Sequence, residues 1–191
     1  TRYYIRRAGR TGLEVDVVKT AAELAEVLAV FRETSERAGF GLHQDSYYED
    51  LFHLAGDANI ISYARLDGAV VAFSWALCSG TTAFYLYGGS NDAGQRSNAN
   101  RPVLWDCIRR TQDAGVVRFD MNGLLGDGIG DFKQGFAPGR EDVLIGSFDR
   151  PLSWLYPAYQ LVLPLGKKAV QFLGRLRNQR RAEAQSVEDP S

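Results

Sequence analysis

Apolar and polar positions alternate along this chain in two rhythms, and each change of rhythm marks a new element. Residues 1–10 set Tyr4, Ile5 and Ala8 against Arg2, Arg6, Arg7 and Arg10, the pattern of a short amphipathic helix. "LEVDVV" (13–18) alternates and is valine-rich, so it reads as a strand. Leu24, Val27, Leu28 and Phe31 then fall at helical spacing, and Thr20 with Glu23 three residues on forms a capping-box signature. That helix is expected to run to about Ala38 and stop at Gly39. "DSYYEDLFHLAG" (45–56) predicts a second helix, with Asp45 or Ser46 as N-cap and Gly56 as the stop. "NIISYARLDG" and "AVVAFSWALCSG" follow, joined by Asp67–Gly68, and "TTAFYLYGGS" comes after Ser79–Gly80. Asp-Gly between β-rich runs is a strong hairpin signal, so the three runs predict an antiparallel meander.

A long loop over 88–100 is expected to lead into a helix over "PVLWDCIRRTQDAG", with Pro102 in its first turn. "VVRFDMNG" (116–123) predicts a strand, a glycine-rich loop with a short helix follows, and "REDVLIGSFD" (140–149) predicts another strand. From about Ser153 the pattern is mainly helical. Helices packed on a mixed sheet make an α/β layered domain, and this order is similar to that of the acetyltransferase (GNAT) type of N-acyltransferase. A cleft is expected where the third meander strand and the next strand splay apart. The expected organisation is one such domain over 1–152, a basic helical segment over 153–181 and a disordered tail over 182–191.

Composition adds a sizeable core, at 45% hydrophobic and 12% aromatic residues. The net charge of −1 predicts no nucleic-acid partner by itself, but the charge is unevenly spread. Residues 167–181 hold Lys167, Lys168, Arg175, Arg177, Arg180 and Arg181 with no acid among them, so the tail is basic and the body mildly acidic. That stretch matches an anionic partner, either nucleic-acid phosphate or a membrane surface, and equally a solvated helix packing within its own protein. Cys78 and Cys107 lie apart in apolar surroundings without metal-ligand spacing, as buried free thiols of a reducing compartment do. No apolar run approaches the ~18 residues of a membrane helix. The chain opens on "TRYYIRRAGR" without methionine, which sets the expectation that further residues precede it.

The densest chemistry lies in "GDGIGDFKQGFAP" (126–138). It is not a P-loop, because Lys133 is not followed by Ser or Thr and the glycine spacing differs. Glycines let backbone approach a ligand, and Phe132 and Phe136 flank Lys133 closely enough to keep it partly dry, so Lys133 is the candidate cation; a surface lysine beside a turn is the alternative. No Ser–His–Asp order is evident, and His43 and His53 lack metal-binding spacing. Tyr85 and Tyr87 alternate with Phe84 and Leu86, so one pair faces the cleft; Tyr87 is the candidate of the two, with core packing as the other reading. Asn122, and less so Asp120, ends a strand at the expected cleft. An acetyl-coenzyme A enzyme would place a glycine-rich phosphate turn at "GQRSNANRPV", where Asn98 and Asn100 replace glycines and Pro102 removes an amide donor. That weakens the coenzyme reading.

Several separated motifs occur together in order: "TRYYIRRAGRTGLEV", "FRETSERAGFGLHQDSYYEDL", "YLYGGSNDAGQRSNANRPVLWDCIRR", "RFDMNG" and "FKQGFAP". Across residues 1 to about 180 they resemble the Fem family of peptidoglycan-bridge aminoacyltransferases. The resemblance implies transfer of an amino acid from aminoacyl-tRNA, a co-substrate in place of any cofactor, to the stem-peptide amine of a precursor. That precursor would be UDP-MurNAc-pentapeptide or lipid II, handled in the cytoplasm or at the inner membrane surface. Family members pair two acetyltransferase-like domains, and this chain looks like the second, so an N-terminal domain is an implied partner and the chain alone is expected to be an incomplete enzyme. Lys133 is implied as the catalytic cation and Arg37 as a holder of precursor phosphate, with Tyr87, Asn122 and Phe132 around the substrate; by residue type alone Arg37 reads equally as a helix-end charge. Two other readings stay open: an acetyl-coenzyme A-dependent N-acetyltransferase on the same fold, and a binding fragment without catalysis.

Overall fold

A computed structural model describes residues 1–8, 12–124, 128–143, 146, 148 and 150–166. The chain divides into two compact units, Thr1–Arg140 and Glu141–Ser191. The first contains α1 (Arg2–Ala8), β1 (Glu14–Val17), α2 (Ala21–Ala38), α3 (Asp45–Ala55), β2 (Asn59–Leu66), β3 (Ala69–Ser79) and β4 (Thr82–Ser90). It continues with α4 (Asp92–Ser97), α5 (Asn100–Asp113), β5 (Arg118–Asp120) and α6 (Gly128–Gln134). In the second unit a helix, α7, covers the described residues 156–166. The basic run beyond it and the tail over 182–191 lie outside the described residues.

The sheet runs in the order β1-β2-β3-β4-β5, antiparallel throughout except for the parallel β4–β5 pair. Its two faces differ in bulk. Register sets Tyr63 opposite Phe73 and Ile61 opposite Trp75 on one face, Ala64 opposite Ala72 and Ser62 opposite Ser74 on the other. The bulky face packs under Val27, Leu28 and Phe31 of α2 and Tyr48 of α3. The small face admits α5 closely: Val103 meets Ala64 and Ala72, and Cys107 meets Ala76 and Ala83. Strand alternation therefore decides which helix each side of the sheet receives.

Local signals explain most boundaries. Thr20 Oγ1 accepts from the Glu23 amide at 3.3 Å while Glu23 Oε2 accepts from the Thr20 amide at 2.9 Å, completing the expected capping box. Gly39 closes α2 in the left-handed conformation at φ 72°. The β2–β3 hairpin turns on Asp67 and Gly68, both at positive φ (52° and 83°), as a primed turn requires.

Four expectations are corrected. The stretch 88–100 is not an open loop: β4 continues to Ser90, and Asn91 caps α4 by accepting from the Gly94 amide at 3.0 Å. The N-cap of α3 is Gln44 rather than Asp45 or Ser46, without a side-chain cap bond. The strand expected over 116–123 is only Arg118–Asp120, because the chain turns out of the sheet at Asn122, φ 59°. The strand expected over 140–149 is absent at the described residues 140–143, 146 and 148, which have no ladder partners to turn their alternation into a strand; Leu144, Ile145, Ser147 and Asp149 lie outside the described residues.

Candidate active site

Pairing between β4 and β5 covers only Thr82–Phe84 against Arg118–Asp120, and beyond Asp120 the chain leaves β4, where the likeness to the acetyltransferase fold sets the cleft. Asp120 Oδ1 accepts from the Asn122 amide at 2.8 Å, folding the turn back on itself. Asn122 Nδ2 then donates to the Tyr85 carbonyl at 2.7 Å, so a side chain replaces the missing ladder bond across the divide. One residue further, the Gly123 carbonyl accepts from Lys133 Nζ at 2.8 Å. Lys133 is buried at 9% exposure, unusual for an ammonium. It sits in the last turn of α6 rather than on a flexible loop, which corrects the loop placement. Residues 125–127 of the glycine stretch lie outside the described residues.

Phe132 precedes Lys133 in α6, and Phe136 follows the helix. They meet each other at 5.4 Å and 65°, and Phe132 also lies 5.7 Å from the Arg101 guanidinium carbon. The structure thus brings Asp120, Asn122 and Lys133 together at the β4–β5 divide, with Phe132 beside the lysine on the same helix.

Tyr85 and Tyr87 part company. Trp75 is opposite Tyr87 but Ala76 is opposite Tyr85, so Leu86 is the extra residue of a β-bulge and the two tyrosines face opposite sides. This corrects the reading of them as a pair. Tyr87 packs into the aromatic cluster of Phe31 (5.4 Å), Tyr48 (5.5 Å) and Trp75 (5.7 Å). Burial, and a hydroxyl bond to Tyr47, push its phenol well above the ordinary range. Tyr85 turns toward α5, where burial pushes its phenol up to about 12. Its hydroxyl lies 1.7 Å from where a Cβ on Gly88 would stand, so only glycine fits beside it.

Arg37 lies on α2 and reaches the far end of the same strand, β4. Its Nη2 donates to the Ser90 carbonyl at 2.6 Å and its Nη1 faces Asp92 at 3.5 Å. The Gln95 amide, with its oxygen turned inward, accepts from Nη2 at 2.8 Å and Nε at 3.1 Å. Thr34 also donates to the Ser90 carbonyl, at 3.1 Å. Arg37 therefore ties α2 to the β4–α4 junction, roughly 16 Å along the strand from Tyr85 at ~3.3 Å per residue.

The turn between α4 and α5 bends as a phosphate cradle does, but several of its amides are already engaged. Asn98 adopts the left-handed conformation (φ 58°, ψ 33°) that glycine takes most easily. The Ala99 amide bonds Gly94 O at 2.9 Å, the Arg101 amide bonds Asn98 O at 3.3 Å, and Pro102 has no N–H.

Several participants escaped the sequence pattern. Tyr47 holds the Tyr87 hydroxyl, yet nothing in its spacing distinguishes it from Tyr48; Gly123 acts through its carbonyl, which no side-chain motif announces. The histidines lie against aromatic rings, His43 on Tyr47 at 4.4 Å and His53 on Phe52 at 5.4 Å. Among the described residues no group of three or more His, Cys, Asp or Glu is arranged to hold a metal ion, and no helix is long and apolar enough to cross a membrane.

A family model described as an acetyltransferase (GNAT) domain matches residues 1–134. The UDP-N-acetylmuramoylpentapeptide-lysine N(6)-alanyltransferase of Weissella viridescens is 28% identical over 158 residues, covering 80% of this chain. That relative is of the Fem type, in agreement with the resemblance read from the motifs. The chain spans about half of its length, 46%. Among solved structures, an aminoglycoside acetyltransferase from an uncultured soil metagenomic sample, in complex with sisomicin, superposes with a TM-score of 0.59 at 12% identity, over 74% of this chain and 98% of that one. A ribosomal-protein-alanine N-acetyltransferase from Brucella melitensis biovar Abortus 2308 superposes with a TM-score of 0.54 at 13% identity, over 73% of this chain and 99% of that one. At such identities these structures establish the mixed-sheet fold alone.

Proposed function

The chain belongs to the acetyltransferase (GNAT) domain family, and from that premise we propose that it moves an amino acid from aminoacyl-tRNA to the stem-peptide amine of a peptidoglycan precursor. The observation that carries this reading is the buried Lys133 ammonium, anchored to the Gly123 carbonyl where β4 and β5 part. The alanyltransferase relative supports the choice of acceptor, a UDP-MurNAc-pentapeptide or its lipid-linked form.

The chemistry asks for what this site offers. The acceptor amine attacks the ester carbonyl of aminoacyl-tRNA, a tetrahedral oxyanion forms, and its collapse expels a ribose oxygen that takes the amine proton. The ester is already activated, so position and a fixed positive charge matter more than a protein nucleophile. Lys133 steadies the oxyanion in this scheme. Asn122, held to the Tyr85 carbonyl, fixes the edge of β4 beside which the acyl group lies. Phe132 and Tyr87 contact the substrate in the same scheme. Arg37 meets precursor phosphate by exchanging its exposed partner Asp92 for the ligand. Contact of the basic C-terminal run with tRNA or an anionic membrane surface belongs to the same proposal.

Engagement of the α4–α5 amides by Gly94 and Asn98 carbonyls favours this reading over coenzyme A, whose pyrophosphate needs those donors. The test is transfer of a radiolabelled amino acid from charged tRNA to UDP-MurNAc-pentapeptide, by the chain together with whatever precedes and follows it in its natural protein. Lys133→Met is expected to lower the rate by about 10²–10³, the range for removal of one oxyanion donor. Turnover that survives the change rejects the role given to Lys133. Calorimetric titration with acetyl-coenzyme A runs in parallel, and robust micromolar binding would replace this proposal with the acetyltransferase one.

A further inference from the structure

Helix α6 has little to hold itself together. It is seven residues long, "GIGDFKQ", and two of the seven are glycine. A helix so short is unstable by itself, and glycine weakens it further. Its placement, and that of Lys133 within it, must come from what it touches. Arg101 supplies one such contact. Its guanidinium carbon lies 4.7 Å from the Tyr4 ring of α1 and 5.7 Å from the Phe132 ring of α6. Its Nη1 donates to Asn98 Oδ1 at 3.0 Å, which anchors it to the left-handed turn between α4 and α5. Thr1 closes the other end of α6: its hydroxyl lies 2.5 Å from where a Cβ on Gly135 would stand.

We infer that Arg101 is a positioning residue for Lys133, a plane of positive charge between two aromatic rings that fixes the helix carrying the ammonium. The significance for catalysis rests on the reading of Lys133 as the reacting cation; the positioning itself does not. Arg101 acts through Phe132, the residue next to Lys133 in sequence, and so controls whether Lys133 Nζ reaches the Gly123 carbonyl. A planar guanidinium covers a ring on each side, whereas a lysine ammonium is compact and strongly hydrated. Arg101→Lys therefore keeps the charge and restores only part of the function.

The test needs no substrate. The 191-residue chain is treated with limiting acetic anhydride, and acetylation of Lys133 is measured by mass spectrometry relative to Lys19, whose side chain is 65% exposed. Wild-type Lys133 is protected. Arg101→Ala is expected to raise the Lys133-to-Lys19 ratio about tenfold through local opening of α6, with the melting temperature little changed. Phe132→Leu, which leaves Arg101 in place but removes the ring it covers, is expected to do the same, and Arg101→Lys to fall between. An unchanged ratio in folded Arg101→Ala overturns the inference. Should that variant fail to fold, an unchanged ratio in Phe132→Leu overturns it equally. Transfer assays on the same variants separate the two readings. Lost protection with transfer intact upholds the positioning and rejects Lys133 as the reacting cation, while retained protection rejects Arg101 whatever the transfer assay gives.

Discussion

Gly94 sits in α4 with its backbone against the sheet: a Cβ there would lie 2.1 Å from the Val71 carbonyl and 2.9 Å from the Ser90 side chain. Backbone cannot yield as a flexible side chain can, so Gly94→Ala is expected to destabilise by about 1–3 kcal/mol, the range of overpacking, read as a lower midpoint in urea unfolding. The clash would also push α4 away from Ser90, on which Arg37 and Thr34 converge. Nothing in the sequence sets Gly94 apart from the other glycines, because the atom it must avoid belongs to a strand more than twenty residues earlier. Lys133 is the opposite case. Its flanking Phe-Lys-x-Gly-Phe pattern singled it out, and only its setting, a buried helix turn in place of an open loop, needed the fold.

Helix α2 was legible because its signals are local. Thr20, Glu23 and Gly39 act on backbone groups within a turn of themselves, so the sequence carries both ends of the element. Thr20→Ala is expected to cost about 1 kcal/mol, measured by chemical denaturation. Glu23 adds a pH signature. Amide bonds from Lys19 foremost, then from Thr20, hold its carboxyl below the ordinary 4.5. A depressed folded value means that its stabilisation is present above about pH 4.5 and is lost as pH falls through the folded value. Glu23→Gln should therefore flatten the acid limb of the stability profile. Strand β4 was legible only in part. Its alternation predicted a strand, but the bulge at Leu86 depends on how β3 pairs with it, and one inserted residue sends Tyr85 and Tyr87 to opposite faces.

Across the whole domain, burial of phenols and thiols predicts how the fold responds to alkali. Tyr85 and Cys107 are pushed up to about 12 by burial, and Tyr63, Tyr87 and Cys78 are raised by it as well. A raised folded value keeps the proton on the folded chain after the unfolded chain has lost it. Stability is then flat below about pH 9 and falls as pH rises beyond the ordinary thiol and phenol values. Melting temperatures taken between about pH 8 and 11 should show this decline, and Tyr85→Phe should make it shallower. These groups are wholly or partly withdrawn from water because two unequal faces of one sheet each receive a helix layer, an arrangement that the alternation of bulky and small residues in β2 and β3 already encodes. By itself the sequence determined most of the order of elements, the fold class and the capped ends of α2, consequences of periodicity or of contacts within a few residues, while Lys133 became a candidate through its motif and the family resemblance that motif carries. Only the tertiary structure decided that Asn122 bridges to Tyr85, that Gly123 receives Lys133, that Arg37 holds Ser90 and that Arg101 lies between Tyr4 and Phe132. All but the Lys133–Gly123 bond join segments distant in the chain, and no local pattern records which backbone carbonyl or ring a side chain will meet once the sheet has closed.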